Sequence, residues 1–189
     1  MSSSKELVDW MSRHPPLDGK KFVGVYCSDE LPKPKKDWYR TGFCFVVNYD
    51  PCFKGGSHWC AISVSTSDLN SDATGLTSTG YWFDSYGNAP DIDDSLLRDK
   101  TGFENWLRTY TTHFAFNTRD YQGLYSDVCG EYAVWFCRNG SPEENPKAWS
   151  GFTPTIKSTV IPEGMDSGVR EKNDSLIQRL TRIKLSSGS

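Results

Sequence analysis

The sequence lacks features that define several common classes of protein. Its 189 residues contain no apolar run of 18 residues, so we expect no membrane span. The first residues lack the apolar core of a signal peptide, so we expect a protein that is not secreted and stays in a reducing compartment. The net charge of −3 gives no electrostatic support for a nucleic-acid-binding surface.

The sequence contains only three histidines and six cysteines, so each can be considered as a possible ligand or catalytic residue. The six cysteines include no C-x-x-C pair, which argues against a zinc site; they are Cys27, Cys44, Cys52, Cys60, Cys129 and Cys137. An even number would allow three disulfides, but in an intracellular protein of this size we expect free or catalytic thiols. The three histidines are His14, His58 and His113.

The composition nevertheless supports a folded core. Hydrophobic residues make up only 37% of the chain, but aromatic residues reach 14% and each buries a large area. A chain of this length supports one domain with a proper core. We therefore predict a single domain over residues 1–185 and a flexible tail over residues 186–189.

Periodicity and turn residues predict an alternation of helices and strands. The predicted helices cover residues 4–13, the second half of 95–112, 129–139, 142–149 and 169–183. The predicted strands cover residues 22–26, 42–48, 58–65, 81–84 and 113–117. We interpret residues 28–40, 66–79 and 151–168 as irregular connections.

The most informative stretch is residues 122–137, QGLYSDVCGEYAVWFC. A loop leads into a segment that is apolar on nearly every side, which predicts a buried helix that begins at Cys129. The positive end of a helix dipole stabilises a thiolate, and Gly130 permits another part of the chain to approach closely. The amide of Gln122 can fold back beside the sulfur and serve as an oxyanion donor. A plain core helix with two buried cysteines is an equally good interpretation of this stretch taken alone.

A thiol nucleophile needs a base and a group that orients the base. His58 follows two glycines at the start of a predicted strand, whereas His14 and His113 lie in a loop and in an amphipathic segment. Asp84 closes the aromatic strand YWFD, where a buried carboxylate needs a partner such as an imidazole. Each residue also has an ordinary structural interpretation, but their combination in one chain indicates a catalytic set.

Taken together, the motifs GGSHWCAISV, YWFDSYG and Q-x6-CGEYAVWF resemble the adenovirus protease (adenain) family, which is related to the SUMO-specific proteases. The segment FVGVY and the last predicted helix also resemble parts of that family, so the resemblance covers most of the chain. It implies an α+β, papain-like fold, with a central mixed sheet on which the Cys129 helix packs.

The resemblance also implies a role for each matching residue. His58 is the base that takes the proton of Cys129, Asp84 orients His58, and Cys129 attacks the scissile carbonyl. The side chain of Gln122 and the backbone N–H of Cys129 hold the oxyanion. For substrate binding, Trp59 walls a narrow cleft, and Gly55 and Gly56 leave room for an extended peptide.

The sequence departs from the family in three respects: two positions and the net charge. Adenain has glutamate where this chain has Asp84. Its activating peptide is disulfide-linked to a cysteine, whose position here is Thr111, so that linkage is not expected and a noncovalent viral peptide stays open. Adenain is basic and uses DNA as a cofactor, whereas this chain is acidic, which argues against DNA activation. No cofactor is required for the chemistry itself.

The expected function is that of a viral cysteine endopeptidase that cleaves virion precursor proteins after Gly-containing sites during maturation. Its partners would be polypeptide substrates, it would be a monomer, and it would be found in the virion and in the host nucleus or cytoplasm. One alternative is an isopeptidase that removes ubiquitin- or SUMO-like proteins, which would use the same residues. Two further alternatives are an acetyltransferase and a non-catalytic binding module.

Overall fold

The protein is described by a computed structural model that covers residues 1–67, 77–90, 102–124, 126–156 and 167–183. The helices are α1 (Ser4–Arg13), α2 (Trp38–Thr41), α3 (Phe103–Tyr110), α4 (Cys129–Asn139), α5 (Pro146–Trp149) and α6 (Ser167–Thr181). The strands are β1 (Lys21–Tyr26), β2 (Phe43–Asn48), β3 (Trp59–Ser67), β4 (Thr77–Phe83), β5 (His113–Phe116), β6 (Arg119–Asp120) and β7 (Thr155–Ile156). The predicted tail 186–189, the start of the predicted helix 95–112 and part of the predicted connections lie outside the described residues.

A five-stranded sheet forms the centre of the protein, with the strand order β1-β2-β3-β4-β5. The pairs β1/β2 and β4/β5 are parallel, whereas β2/β3 and β3/β4 are antiparallel. The fold is therefore a mixed α/β arrangement with a central mixed sheet. Strand β2 is buried at every position, which its continuous apolar sequence predicts for a strand covered on both faces.

Two hydrophobic clusters lie on the two faces of the sheet. One contains α1, α4 and α6 residues packed on β2 and β3, and the other contains α3 packed on Phe43, Phe45 and Trp82. Helix α4 lies almost wholly inside the first cluster, as its apolar sequence predicts. A side chain at Gly130 would come within 3.0 Å of Leu7 and 3.2 Å of Trp59, so glycine is what allows α1 and β3 to pack so closely on α4.

Helix α1 follows its sequence signals. Ser3 caps it, with a reciprocal bond from Ser3 N–H to Glu6 that completes a capping box. Its apolar residues are buried, and Trp10 Nε1 donates to Thr181 O of α6 at 2.8 Å. The helix predicted over residues 4–13 is thus confirmed, and it joins the N-terminal part of the chain to the C-terminal helix.

Several boundaries differ from prediction. The segment 28–40, predicted to be irregular, contains the start of α2, because Trp38 is buried against Phe43 with ring centroids 5.3 Å apart. Strand β4 begins at Thr77 rather than at residue 81, because its polar first residues pair with β3. The helix predicted over 142–149 covers only Pro146–Trp149. The short β6–β7 pair was not predicted.

The expectation that all cysteines are free thiols is wrong for two of them. Cys27 and Cys52 form a disulfide, with Cα atoms 5.2 Å apart, while the remaining four are free. The two lie in the loops that follow the neighbouring parallel strands β1 and β2. A sequence separation of 25 residues gives no hint of this proximity, because it arises only from strand pairing.

Within the described residues, no helix is long and apolar enough to cross a membrane.

Candidate active site

The candidate site lies at the edge of the sheet where β3 begins and β4 ends. These two strands are antiparallel, so the start of one lies beside the end of the other, and Ala61 pairs with Phe83. His58 directly precedes β3 and Asp84 directly follows β4, rather than lying within the strands as predicted. Cys129 is the first residue of α4.

His58 and Asp84 form a buried pair. His58 Nε2 lies 2.7 Å from Asp84 Oδ1, and the aspartate is fully buried. The same carboxylate accepts hydrogen bonds from the Tyr86 N–H at 2.8 Å and from the hydroxyl of Tyr49. A buried carboxylate needs such donors, and here both of its oxygens are used.

Each member of this pair stabilises the charged form of the other. Burial would raise the pKa of Asp84, but the positive charge of His58 and the hydrogen bonds from His58, Tyr49 and Tyr86 hold that pKa below its usual value. For His58, burial acts to lower the pKa, whereas the acidic groups of Cys60 and Asp84 raise it. Hydrogen bonds with Asp84 and Cys129 act in the same direction, and the balance holds the pKa well above its usual value.

The anion that faces His58 is the carboxylate rather than Cys60. Burial raises the pKa of the Cys60 thiol to about 12, so this thiol is neutral near pH 7. The ring of His58 lies between two tyrosine rings, with centroid distances of 4.8 Å to Tyr49 and 4.7 Å to Tyr86. The charge of Asp84 and the hydrogen bonds to His58 together outweigh the effect of burial, so the protonated form of His58 is favoured.

Cys129 lies against the other side of this pair. Its Sγ interacts with His58 and accepts a hydrogen bond from the backbone N–H of Trp59 at 3.4 Å. The residue before it, Val128, supplies no side-chain acceptor to the first turn of α4. The first N–H groups of the helix therefore have no side-chain cap from Val128, and a helix N-terminus of this kind favours a negative charge. A protonated imidazole and a helix N-terminus are the two surroundings that best stabilise a thiolate.

Gln122 is fully buried in the loop that precedes α4. Its Oε1 accepts from Ser85 Oγ at 2.5 Å, and its Nε2 donates to Ser126 O at 2.9 Å. Its backbone N–H donates to Ser85 O at 3.2 Å, which ties the loop to the end of β4 beside Asp84. Both polar atoms of the Gln122 side chain thus have partners within the loop and at the end of β4, and its predicted role as an oxyanion donor stays a prediction.

Helix α6 anchors the same loop. Asp174 Oδ2 accepts from the Gly123 N–H at 3.0 Å, and Asp174 Oδ1 accepts from the hydroxyl of Tyr132 at 3.1 Å. Burial raises the pKa of Asp174, although the hydrogen bonds from Gly123, Ser126 and Tyr132 oppose this. This carboxylate therefore joins the residue after Gln122 to the helix that begins at Cys129.

Sequence reasoning missed four residues that build the site. They are Tyr49 and Tyr86 around His58, Asp174 on α6, and Asn117, which exchanges hydrogen bonds with the backbone of Asp84. The tyrosines lie one and three residues after the ends of β2 and β4, which was a usable signal. The contacts of Asn117 and Asp174 span 33 and 51 residues, so no local pattern reveals them.

The predicted substrate-binding residues have diverse surroundings. An added Cβ at Gly55 would meet nothing within 4 Å, so this position faces open space. Gly56 has φ of 76°, and an added Cβ would lie 2.8 Å from the Asn48 side chain, so the turn itself requires glycine. Trp59 is only 8% exposed and packs on Gly130. Contact of these residues with substrate stays a prediction.

Among the described residues, two groups have side chains close enough to be considered as metal ligands. Cys27, Asp29 and Cys52 form one, but its two sulfurs are joined in the disulfide. His58, Cys60 and Asp84 form the other, with ligand atoms within 4.8 Å of one another. Zinc holds tetrahedral ligands roughly 3.4 Å apart, whereas His58 Nε2 and Asp84 Oδ1 are 2.7 Å apart, the distance of a direct hydrogen bond. The geometry is that of a proton-sharing pair.

The chain is similar to two viral protease structures and to a de-sumoylating protease, at low sequence identity. No protein-family profile matches the chain, and no curated protein matches it. Among solved structures, the selenomethionine form of the ASFV pS273R protease is 20% identical with a TM-score of 0.34, and the match covers 75% of this chain and 44% of that one. A second structure of the ASFV pS273R protease is 17% identical with a TM-score of 0.40, covering 90% of this chain and 63% of that one.

A de-sumoylating protease is also similar, at 12% identity and a TM-score of 0.34, covering 95% of this chain and 73% of that one. The chain spans less than two thirds of the length of both ASFV protease chains. Likeness at these identities and TM-scores assigns no activity to this chain. Any activity has to be argued from its own residues.

Proposed function

We propose that this chain is a cysteine endopeptidase with an adenain-type, papain-like fold, in which Cys129 is the nucleophile and His58 its base. Asp84 orients and charges His58, and Gln122 acts with the Cys129 N–H as oxyanion donor. The observation that carries the proposal is the position of His58. Its Nε2 is bonded to a buried carboxylate at 2.7 Å, while the same ring interacts with a thiol at a helix N-terminus.

This arrangement suits acyl transfer. The thiolate of Cys129 attacks the carbonyl carbon of a peptide bond, and the oxygen becomes an anion beside the first turn of α4 and the amide of Gln122. The protonated His58 gives its proton to the leaving amine, so that a thioester remains. His58 then takes a proton from water, and the resulting hydroxide equivalent releases the acid and restores Cys129.

The substrates that we propose are viral structural precursors, cut after Gly-containing sites. This proposal comes from the motif resemblance and from the narrowness of the site, where Cys129 is 3% and His58 5% exposed. A β-carbon on the residue before the cut would add volume where the chain passes these side chains. Replacing that glycine by alanine in a peptide should reduce kcat/KM at least tenfold, and an unchanged rate would contradict the proposed specificity.

Activation by a noncovalent peptide is part of this proposal. Thr111 Oγ1 donates to Leu107 O at 2.6 Å, and Thr111 lines a surface groove of 360 Å³ together with Tyr39, Ser78 and Tyr110. The groove adjoins β5, which is an edge strand of the sheet among the described residues. Strand β5 is largely exposed. An edge strand of this kind accepts an added peptide strand. The net charge of −3 gives DNA no comparable support as an activator.

The experiment that tests the function compares wild type with Cys129→Ala on two kinds of substrate. One is a panel of short peptides with glycine before the cut, and the other consists of ubiquitin and SUMO fusions, with and without DNA. Cleavage of peptides by wild type alone supports the endopeptidase. Cleavage of the fusions alone would favour an isopeptidase instead. No cleavage, combined with Cys129 alkylation no faster than that of Cys137, would leave a non-catalytic binding module.

A further inference from the structure

The N-terminal segment lies against both halves of the proposed catalytic pair. Ser2 is only 3% exposed, although serine is found mostly at the surface of proteins. Its carbonyl oxygen accepts a hydrogen bond from Trp59 Nε1 at 2.9 Å. Its hydroxyl donates to Glu131 Oε1 at 3.0 Å. One residue thus bonds to the start of β3 and to the start of α4.

These two partners are the neighbours of the proposed catalytic residues. Trp59 directly follows His58, and its own N–H donates to Cys129 Sγ at 3.4 Å. Glu131 lies in the first turn of α4, two residues after Cys129, and is buried. The separation of β3 and α4 sets the distance from the imidazole to the sulfur, and Ser2 spans that separation.

The N-terminal segment is itself held in place, so its hydrogen bonds can restrain β3 and α4 relative to each other. Ser3 caps α1 through the capping box with Glu6, and Leu7 of that helix packs on Gly130. The amino nitrogen of Met1 lies 2.7 Å from Asp127 Oδ2, in the loop before Cys129. Ser2 is therefore fixed from both sides along the chain, and its two hydrogen bonds act between rigid elements.

We propose that Ser2 is a positioning residue, which sets the distance between His58 and Cys129 by bridging Trp59 and Glu131. This inference rests on the proposed cysteine-protease function. Ser2 touches neither substrate nor the reacting atoms, and it acts through its two partners. Loss of its hydroxyl leaves the bond from Trp59 to the backbone oxygen and removes the bond to Glu131.

The test compares Ser2→Ala with Ser12→Ala as the matched control. Ser12 belongs to helix α1, which follows Ser2 in the chain; it is exposed, and its hydroxyl donates to Asp9 O within that helix. Each variant is assayed for kcat and KM on the best peptide, for the rate of Cys129 alkylation from pH 6 to pH 9, and for unfolding by denaturant. Rates are divided by the folded fraction at the assay temperature, so a loss of stability alone does not count as a loss of rate.

For Ser2→Ala we expect kcat to fall about fivefold with KM changed less than about twofold, the size of one lost hydrogen bond between positioned groups. Alkylation of Cys129 should slow about fivefold at pH 6 and less at pH 9, because an ordinary thiol is largely ionised at pH 9 without a basic partner. Ser12→Ala should behave as wild type. A purely structural serine would lower stability without changing kcat or the pH dependence of alkylation.

Failures of the two proposals are distinguishable. An active wild type whose kcat and alkylation profile are kept in Ser2→Ala would overturn the role of Ser2 alone. An equal loss in Ser12→Ala would also overturn it, because the effect would then belong to α1 in general. A wild type without peptide cleavage, and without faster alkylation of Cys129 than of Cys137, would overturn the proposed function and this inference together.

Discussion

The two sides of the candidate site are held by different kinds of interaction. On the His58 side, a buried carboxylate meets an imidazole, and the rings of Tyr49 and Tyr86 enclose it. On the Gln122 side, the amide is held by Ser85 and by the backbone of Ser126 without any charge of its own. The His58 side stabilises the protonated form of the imidazole, whereas the Gln122 side holds the side-chain amide in one orientation.

This difference separates two properties that a single activity assay combines. The reactivity of the Cys129 thiol should depend on the His58 side, because a nearby cation stabilises the thiolate. The stabilisation of an oxyanion should depend on the Gln122 side, because it needs a donor in the right place only after attack. Alkylation of Cys129 measures the first property, and peptide turnover measures both.

The largest effect is expected from Asp84→Asn. Loss of the carboxylate charge should lower the pKa of His58 toward its usual range, so the imidazole would lose the proton that supports the thiolate. We expect kcat/KM to fall about 10³-fold near pH 7 and alkylation of Cys129 to slow with it. Tyr49→Phe is the control, because it removes a donor but keeps the charge, and it should cost at most about tenfold. Unchanged alkylation in Asp84→Asn would contradict this account of the His58 side.

The same pair should contribute to stability within a definite pH window. The folded pKa of Asp84 is lowered, so its contribution is present above its unfolded value near 3.9 and is lost as pH falls further. The folded pKa of His58 is raised, so its contribution is present below its unfolded value near 6.5 and is lost as pH rises through the folded pKa. The difference in unfolding free energy between wild type and Asp84→Asn should therefore be greatest between about pH 4 and pH 6.5. Denaturant titrations across pH 3 to 9 measure it, and a flat difference would show that the pair is not ionised.

Gln122→Ala should reduce turnover by about 10²-fold, as expected for one oxyanion donor, while alkylation of Cys129 keeps its wild-type rate. Slower turnover with unchanged alkylation distinguishes Gln122→Ala from Asp84→Asn, which should slow both. Ser85→Ala serves as the control, since it removes the donor to Gln122 Oε1 and leaves the bond from Nε2 to Ser126. Should Gln122→Ala slow alkylation as much as turnover, the two sides would not be separable in the way the contacts indicate.

The two sides also differ in how far the sequence could predict them. The sequence predicts the motif around His58, the strand that ends just before Asp84 and the helix that begins at Cys129, because strand and helix patterns are local. Antiparallel pairing then brings a strand start and a strand end together without further information. Their catalytic roles stay predictions until the variants are measured.

What the sequence could not show depends on contacts between distant segments. The bond from Asp174 to Gly123 spans 51 residues, and the bond from Ser2 to Glu131 spans 129. The Cys27–Cys52 disulfide was missed for the same reason, since it follows from strand order alone. Trp59 was predicted to wall a cleft, and its packing on Gly130, 71 residues away in the chain, is another contact between distant segments.

A smaller effect is expected from Asp174→Asn, which alters the Gln122 side from a distance. The side chain keeps one acceptor oxygen, so either Gly123 or Tyr132 loses its partner. We expect kcat to fall about fivefold with alkylation of Cys129 unchanged. Arg179→Gln, a charge change at an exposed position of the same helix, should have no effect. A drop in alkylation would mean that Asp174 acts on Cys129 through Tyr132 rather than on Gln122.

Asp174→Asn also has a distinct effect on stability. Burial raises the folded pKa of Asp174, so the native state disfavours its ionised form and stability is lost as pH rises from the unfolded value near 3.9. Asparagine does not ionise, so the stability of the variant relative to wild type should increase over that rise in pH. A difference that does not change with pH would show that Asp174 has an ordinary pKa.

The smallest effect on turnover is expected from removing the disulfide with Cys27→Ser and Cys52→Ser. The bridge closes a separation of 25 residues, so its loss should lower the free energy of unfolding by about 3 kcal/mol. His58 is nevertheless held by Asp84 and two tyrosine rings, so kcat should change less than about threefold. Denaturant titration and peptide assays of the double variant, beside wild type treated with a mild reductant, measure both quantities. If kcat falls more than tenfold in the folded double variant, the loop before His58 needs the covalent link. The His58 side would then depend on the distant Cys27–Cys52 disulfide as much as the Gln122 side depends on Asp174 of α6.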